Sequence, residues 1–282
     1  MLISVAIPFY NNSETLSVAI RSALNQIFED FELILLDDGS SDGSLQIARG
    51  FKDERIHILS DGKNLGLPAR LNQSVQIARG KYYARMDADD ISYPERLAQQ
   101  ANFLETNPSV DLIGCGAVVF DHYGKGIGTF PIHLTHEQIV SRPRSGFYLP
   151  HPTWMGKTEW FRKYPYNTTS LKAQDQELLL RTYRTSRFGS INQILFGYHQ
   201  ENMTFSKALR GRFYFSRALW QDALKHKQIF KGGMAIASQF CKIIFDFITL
   251  KCGLDLPTTH RRRSITAEQS AKWDKIWASF KE

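Results

Sequence analysis

The chain is 282 residues long, 43% hydrophobic and 22% charged, with a formal net charge of +7. That length and apolar content suit one large globular domain, or a domain with an appendage, around a sizeable core. A membrane span is excluded because no stretch approaches about 20 uninterrupted apolar residues. A disulfide scaffold is excluded because Cys115, Cys241 and Cys252 are odd in number and follow no ligand spacing. Reduced thiols, with no basic leader ahead of Leu2–Pro8, point to the cytoplasm. The charge is uneven: residues 1–204 carry 20 Lys+Arg against 22 Asp+Glu, whereas residues 205–263 carry 12 against 3. A local basic block implies a local anionic partner.

In chain order, Leu2–Pro8 (LISVAIP) reads as a buried strand and Ser13–Gln26 as a helix. Phe31–Leu36 is a second strand, closed by Asp37-Asp38-Gly39-Ser40. Ser41–Phe51 is helical, with Asp42 near its start, where a carboxylate suits the helix dipole. Arg55–Leu59 is a strand, Leu67–Arg79 a helix, Lys81–Met86 a strand, and Pro94–Thr106 a helix with Pro in its first turn. Val110–Phe120 returns to strand character. This alternation predicts an α/β fold around a mostly parallel central sheet flanked by helices. Ligands of such sheets lie beyond the carboxyl ends of the strands. Residues 121–204 are less regular, with a helix over Gln174–Arg187 and one or two short strands over Phe188–Tyr198. From Phe205 onward the pattern is helical and aromatic-rich. Ile229–Leu250 is apolar but interrupted by Lys231, Lys242 and Asp246, which suits a membrane interface or packing on the domain.

Three polar clusters follow strand ends and so converge on one crevice: Phe9-Tyr10-Asn11-Asn12, Asp37-Asp38-Gly39-Ser40 and Asp87-Ala88-Asp89-Asp90. The last packs three carboxylates into four residues, which costs free energy unless a cation sits there. Asp oxygens are hard ligands suited to Mg²⁺ or Mn²⁺, ions often bound together with a substrate's phosphates. Taken alone, the run reads equally well as a solvated acidic turn before a helix, since Asp is also a good N-cap.

Four stretches together, Val5-Ala6-Ile7-Pro8-Phe9-Tyr10-Asn11, Leu35-Leu36-Asp37-Asp38-Gly39-Ser40-Ser41-Asp42, Asn64-Leu65-Gly66-Leu67-Pro68-Ala69-Arg70-Leu71-Asn72 and Met86-Asp87-Ala88-Asp89-Asp90, resemble the inverting nucleotide-sugar glycosyltransferases of family 2. Their order and spacing fit over residues 1–110, and a looser match runs to about 204. The resemblance implies a GT-A, Rossmann-like fold and transfer of a sugar from a nucleoside diphosphate to an acceptor hydroxyl with inversion. It further implies a catalytic domain over 1–204, with a nucleotide-binding half (1–110) and an acceptor half (111–204), followed by a basic helical tail (205–282).

On this resemblance Pro8, Phe9 and Tyr10 frame the base, with core packing the alternative for Phe9, and Asn11, Asn64, Gly66 and Ala88 complete the nucleotide site. Asp38 accepts the N–H of a uracil ring, and Arg70 places a guanidinium on the diphosphate. Asp89 is the direct ligand of Mn²⁺ or Mg²⁺, and Asp87 reaches ribose or metal. Asp90 binds acceptor or caps the next helix. Asp175, in Ala173-Gln174-Asp175-Gln176-Glu177-Leu178, matches the family's catalytic base, and an ordinary Asp of pKa about 3.9 is ionised at neutral pH. The commonest family pattern has Glu where this chain has Gln174, which keeps Glu177 as a rival base. His151 lies on the acceptor side, and Tyr198 and His199 lie near the diphosphate.

The expected donor is a UDP-sugar carrying a hexose or N-acetylhexosamine. The expected acceptor is a saccharide on a lipid-linked intermediate of bacterial surface polysaccharide such as O-antigen or capsule. The basic block 205–263 is expected to meet the inner face of the cell membrane peripherally; no nucleic-acid partner is expected. Two alternatives stand beside this reading. A sugar nucleotidyltransferase needs a Gly-rich phosphate loop after the first strand, and Pro8-Phe9-Tyr10-Asn11 supplies no Gly. A non-catalytic nucleotide- or membrane-binding module has no need to keep Asp87, Asp89 and Asp175 together.

Overall fold

The computed structural model describes residues 1–200, 204–251 and 262–280. β1 (Ile3–Phe9) and β2 (Phe31–Asp37) are mostly apolar and buried along their whole length, as strands covered on both faces require, and the buried Ser4 hydroxyl donates to Glu32 Oε1 at 2.6 Å. Around them come α1 (Leu16–Leu24), α2 (Ser44–Gly50), β3 (Ile56–Ser60), α3 (Leu67–Ile77) and β4 (Tyr82–Arg85). β3, β2, β1 and β4 lie side by side and parallel. The chain continues through β5 (Ile91–Ser92), α4 (Arg96–Thr106), β6 (Leu112–Phe120), β7 (Gly126–Thr129), α5 (His136–Ile139), β8 (Met155–Lys157), α6 (Thr158–Lys163), α7 (Gln174–Thr182) and β9 (Phe188–His199). These complete one sheet in the order β3-β2-β1-β4-β8-β6-β9-β5, with β7 paired to β6. β6 and β9 run with the first four strands, and only the short β5, β7 and β8 run against them. The sheet is therefore mostly parallel, as the alternation predicts.

Two segments differ from expectation for local reasons. Phe188–His199 is a single strand whose register against β6 shifts around Gly116, and that irregularity reads in sequence as a break between two strands. The helix expected to run to Arg187 ends at Thr182, where the chain turns and Thr185 N–H donates to Thr182 O at 2.9 Å.

Beyond the sheet, α8 (Phe205–Lys225) and α9 (Ile229–Lys251) form a helical pair, with α8 packed on α7. α10 (Ala267–Ala278) starts at a Thr266/Gln269 capping box and returns to the sheet. There Trp273 is fully buried beside Tyr93 and Phe120, its indole N–H donating to Gly124 O at 2.7 Å. Among the described residues no helix is long and apolar enough to cross a membrane. Cys115 is buried and Cys241 exposed; Cys252 lies outside the described residues.

Candidate active site

The ends of β1, β2 and β4 meet as the topology requires. Asp38 N–H donates to Phe9 O at 2.8 Å, and Ser41 N–H donates to Asn11 Oδ1 at 2.8 Å, with Asn11 in the left-handed region at φ 52°. Thr15 Oγ1 donates to Ala88 O at 3.0 Å, tying the segment after β1 to the acidic run. Gly39, at φ +75°, packs so closely on Lys63 that a Cβ would fall 2.8 Å from its carbonyl carbon. Pro8 and Phe9 are buried, Phe9 within the main apolar core; Tyr10 is half exposed and Asn64 exposed.

Asp38 is 6% exposed. It accepts from Leu65 N–H at 2.7 Å, Gly66 N–H at 3.0 Å and Arg70 Nε at 2.9 Å. Arg70 is equally buried. Its remaining nitrogens donate to Gln73 Oε1 at 2.8 Å, to Asp61 Oδ1 at 2.6 Å and to Lys63 O. Every Arg70 nitrogen, which the resemblance aims at the diphosphate, thus has an acceptor inside the protein: α3 begins straight after Gly66, so a residue one turn in faces back toward the end of β2. Asp37 holds the turn itself, accepting from Ser40 N–H at 2.9 Å and Ser60 Oγ at 2.7 Å. Arg70→Met leaves Asp38 a buried, uncompensated charge, and a stability loss of about 3 kcal/mol is expected in urea denaturation. An unchanged midpoint would show that Leu65 and Gly66 suffice to hold that carboxylate.

β4 ends in Arg85, a fully buried residue whose Nη2 rests on the Asp87 carboxylate, while Nε and Nη1 have no hydrogen-bond partner among the described residues. Burial raises the Asp87 carboxyl above its ordinary value against the pull of Arg85, and Asp89 adds to the rise. Asp89 Oδ2 lies 3.1 Å from His199 Nδ1. His199 N–H donates to Asp90 Oδ1 at 2.8 Å. Asp90 neither caps α4, whose N-cap is Glu95, nor opens to an acceptor: it is 1% exposed and anchors the end of β9. Burial, then the charges of Asp89 and Asp87, push its carboxyl well above the usual range.

Among the described residues no three His, Cys, Asp or Glu side chains gather into a cluster able to hold a metal by themselves. The donor set nevertheless fits a hard divalent cation that shares its coordination with a substrate. Asp89 and His199 offer an oxygen and a nitrogen side by side, Asp87 offers a second carboxylate, and Mg²⁺ or Mn²⁺ commonly completes its shell with phosphate oxygens and water.

Asp175, in the first turn of α7, lines a cleft of about 340 Å³ with Tyr148, His151, Gln176 and Tyr198. Its Oδ2 accepts from Gln176 Nε2 at 3.0 Å, and Gln176 Oε1 accepts from Phe147 N–H at 2.7 Å. The pKa of the Tyr198 hydroxyl is raised first by burial and then by the charges of Asp90, Asp87, Asp89 and Asp175. Glu177 turns away, accepting from Arg181 Nε at 3.0 Å and facing a second cavity against α8. His151 is 8% exposed, with Nε2 2.9 Å from the Tyr166 hydroxyl. Burial, then the Arg85 charge, lowers its pKa well below the ordinary value and keeps the ring neutral at pH 7. Arg85 and Tyr166 join the site without having been expected there, beside Tyr198, which the resemblance places with His199. For Arg85 a signal existed, a cation inside the apolar strand Tyr82–Met86 that only an acidic neighbour justifies; Tyr166 carries none.

The sequence profile described as Glycosyl transferase family 2 matches residues 4–165. The Bacillus subtilis (strain 168) protein EpsE, named as a glycosyltransferase, is 41% identical over 213 residues, covering 73% of this chain and 75% of EpsE. The Escherichia coli UDP-Glc:α-D-GlcNAc-diphosphoundecaprenol β-1,3-glucosyltransferase WfaP is 33% identical over 105 residues, 37% of this chain and 42% of WfaP. Among solved structures, S. aureus TarS in complex with UDP superposes with a TM-score of 0.63 at 18% identity, covering 99% of this chain and 80% of that one. The mannosyltransferase PcManGT of Pyrobaculum calidifontis, in complex with GDP-Man and Mn²⁺, gives 0.61 at 14% identity, covering 99% and 88%. At those identities the two structures speak for the fold.

Proposed function

Because this chain belongs to glycosyl transferase family 2, we propose that it moves a hexose or N-acetylhexosamine from a UDP-sugar to a saccharide hydroxyl with inversion at the anomeric carbon. The observation that carries the reading is that Asp89 meets His199 at the end of β9, while Asp175 and Tyr198, the residue before His199, line one cleft. A carboxylate has about four lone-pair sites, and Leu65, Gly66 and Arg70 occupy three of those on Asp38, leaving one for the N–H of uracil. Tyr10, half exposed beside it, offers a flat face to the base. Asp89, His199 and Asp87 would hold a divalent cation here, whose Lewis acidity would stabilise the charge that grows on the departing UDP.

The acceptor hydroxyl, seated in the cleft beside Asp175, attacks the anomeric carbon from the face opposite the diphosphate. The new carbon–oxygen bond forms as the bond to the β-phosphate oxygen breaks, and that electron pair leaves with UDP. The hydroxyl proton passes to the Asp175 carboxylate. The name of WfaP supports a lipid-linked saccharide as acceptor.

The test is nucleotide release across a panel of UDP-sugars and GDP-mannose, with Mn²⁺, Mg²⁺ or EDTA. UDP release from one sugar, lost with EDTA, is the expected result. GDP release from GDP-mannose alone would overturn the uridine reading, and release from no donor with either metal would overturn transfer chemistry altogether.

A further inference from the structure

α9 is built inside out. A helix on a water-exposed surface normally turns its apolar stripe inward and its polar residues outward. Here Gln239, Asp246 and Thr249 are buried, and the large apolar residues face outward: Phe230 is 81% exposed, Met234 62%, Phe240 62% and Ile244 48%. The inward polar groups are satisfied against the rest of the protein. Arg212 Nη2 donates to Asp246 Oδ1 at 2.9 Å, Arg212 Nη1 to Gln239 Oε1 at 3.3 Å, and Lys242 Nζ to Ser145 O at 3.5 Å. Small residues complete the seam: a Cβ on Gly232 would fall 2.4 Å from Ala223 Cβ. The orientation is thus fixed by packing and hydrogen bonds, and the outward apolar face is a property of the docked helix.

α8 extends that face. Arg210, Phe213, Arg217, Trp220 and Leu224 follow one another at helical spacing and are all exposed, so guanidinium groups alternate with large apolar side chains. The charge on this hairpin has one sign. Asp222 faces Arg184 at 2.7 Å and Asp246 faces Arg212, so the two acidic residues described in these helices are both neutralised within the protein. Exposed apolar patches of this size mark interaction sites.

We infer that the α8–α9 face docks on an anionic lipid bilayer. Its apolar side chains enter the boundary between headgroups and acyl chains, and its arginines stay at the headgroup level. Neither helix is long and apolar enough to cross, so the hairpin lies along the surface. A second copy of the chain fits less well, because a two-fold contact would press this basic face, with Arg210 and Arg217, against an identical basic face. This inference does not rest on the catalytic reading, and its test is separable from it.

The full chain is floated with vesicles of phosphatidylcholine containing phosphatidylglycerol and, separately, of phosphatidylcholine alone. The expected result is recovery with the anionic vesicles that falls as salt is raised. The double substitution Phe240→Ser, Ile244→Ser should lower that recovery by at least about tenfold, with unchanged circular dichroism and unchanged donor hydrolysis in free solution. The unaltered chain failing to float with anionic vesicles would overturn the inference. So would a concentration-dependent dimer in lipid-free buffer that the same two substitutions dissolve.

Discussion

Asp175→Asn is expected to lower kcat by about 10³-fold while leaving the Kd for the UDP-sugar unchanged. The amide fills the same volume, and its oxygen can still accept from Gln176 Nε2, so the first turn of α7 keeps its place. What the amide cannot do is take up a proton from the acceptor hydroxyl. Calorimetric titration of the donor and single-turnover transfer to acceptor measure the two quantities separately. Near-normal turnover would sink the assignment of Asp175 as base. Glu177 could then serve only by leaving its ion pair with Arg181, so Glu177→Gln is the decisive companion: its expected effect is small if Asp175 is the base.

Asp89→Ala is expected to weaken metal-supported UDP binding by at least about 100-fold, more than the 10–100-fold typical of losing a group that merely orients a ligand. Stability should not suffer. Removing one charge relieves Asp87 and Asp90, both of which Asp89 pushes upward, and the His199 backbone remains held by Asp90. UDP binding measured with Mn²⁺ and with EDTA gives the comparison. If the variant keeps the metal-dependent part of its affinity, then Asp87 and His199 form the site and Asp89 only positions the imidazole.

The parts of this architecture legible in the sequence are those whose signal is local. β1 and β2 are mostly apolar runs closed by turn residues, and each is followed by a helix with its own punctuation. The short antiparallel strands β5, β7 and β8 are invisible because two to four residues carry no period. That matters for the site, since pairing of β5 with β9 is what brings His199 to Asp89, 110 residues away in sequence. The fate of Arg70 was hidden for a different reason. Which way a cation on a helix points depends on where the preceding turn aims the axis, and here that turn is pinned to Asp38. Asp90 shows the same limit: residue type offers cap or ligand, and only the tertiary position of β9 makes it an anchor.

α10 lines no part of the cleft, yet its Trp273 ring sits 4.7 Å from Phe120, whose ring lies 5.3 Å from His199. The indole fits only because Gly197 has no side chain, for a Cβ there would come within 2.3 Å of it. A chain emerging from the ribosome has made every strand of the sheet by residue 199, while the apolar pocket behind His199 stays open until Trp273 has been synthesised. The corner around His199 is thereby completed only after α10 has been made, so a chain cut ahead of α10 carries all of the proposed site residues but not the wedge that backs His199.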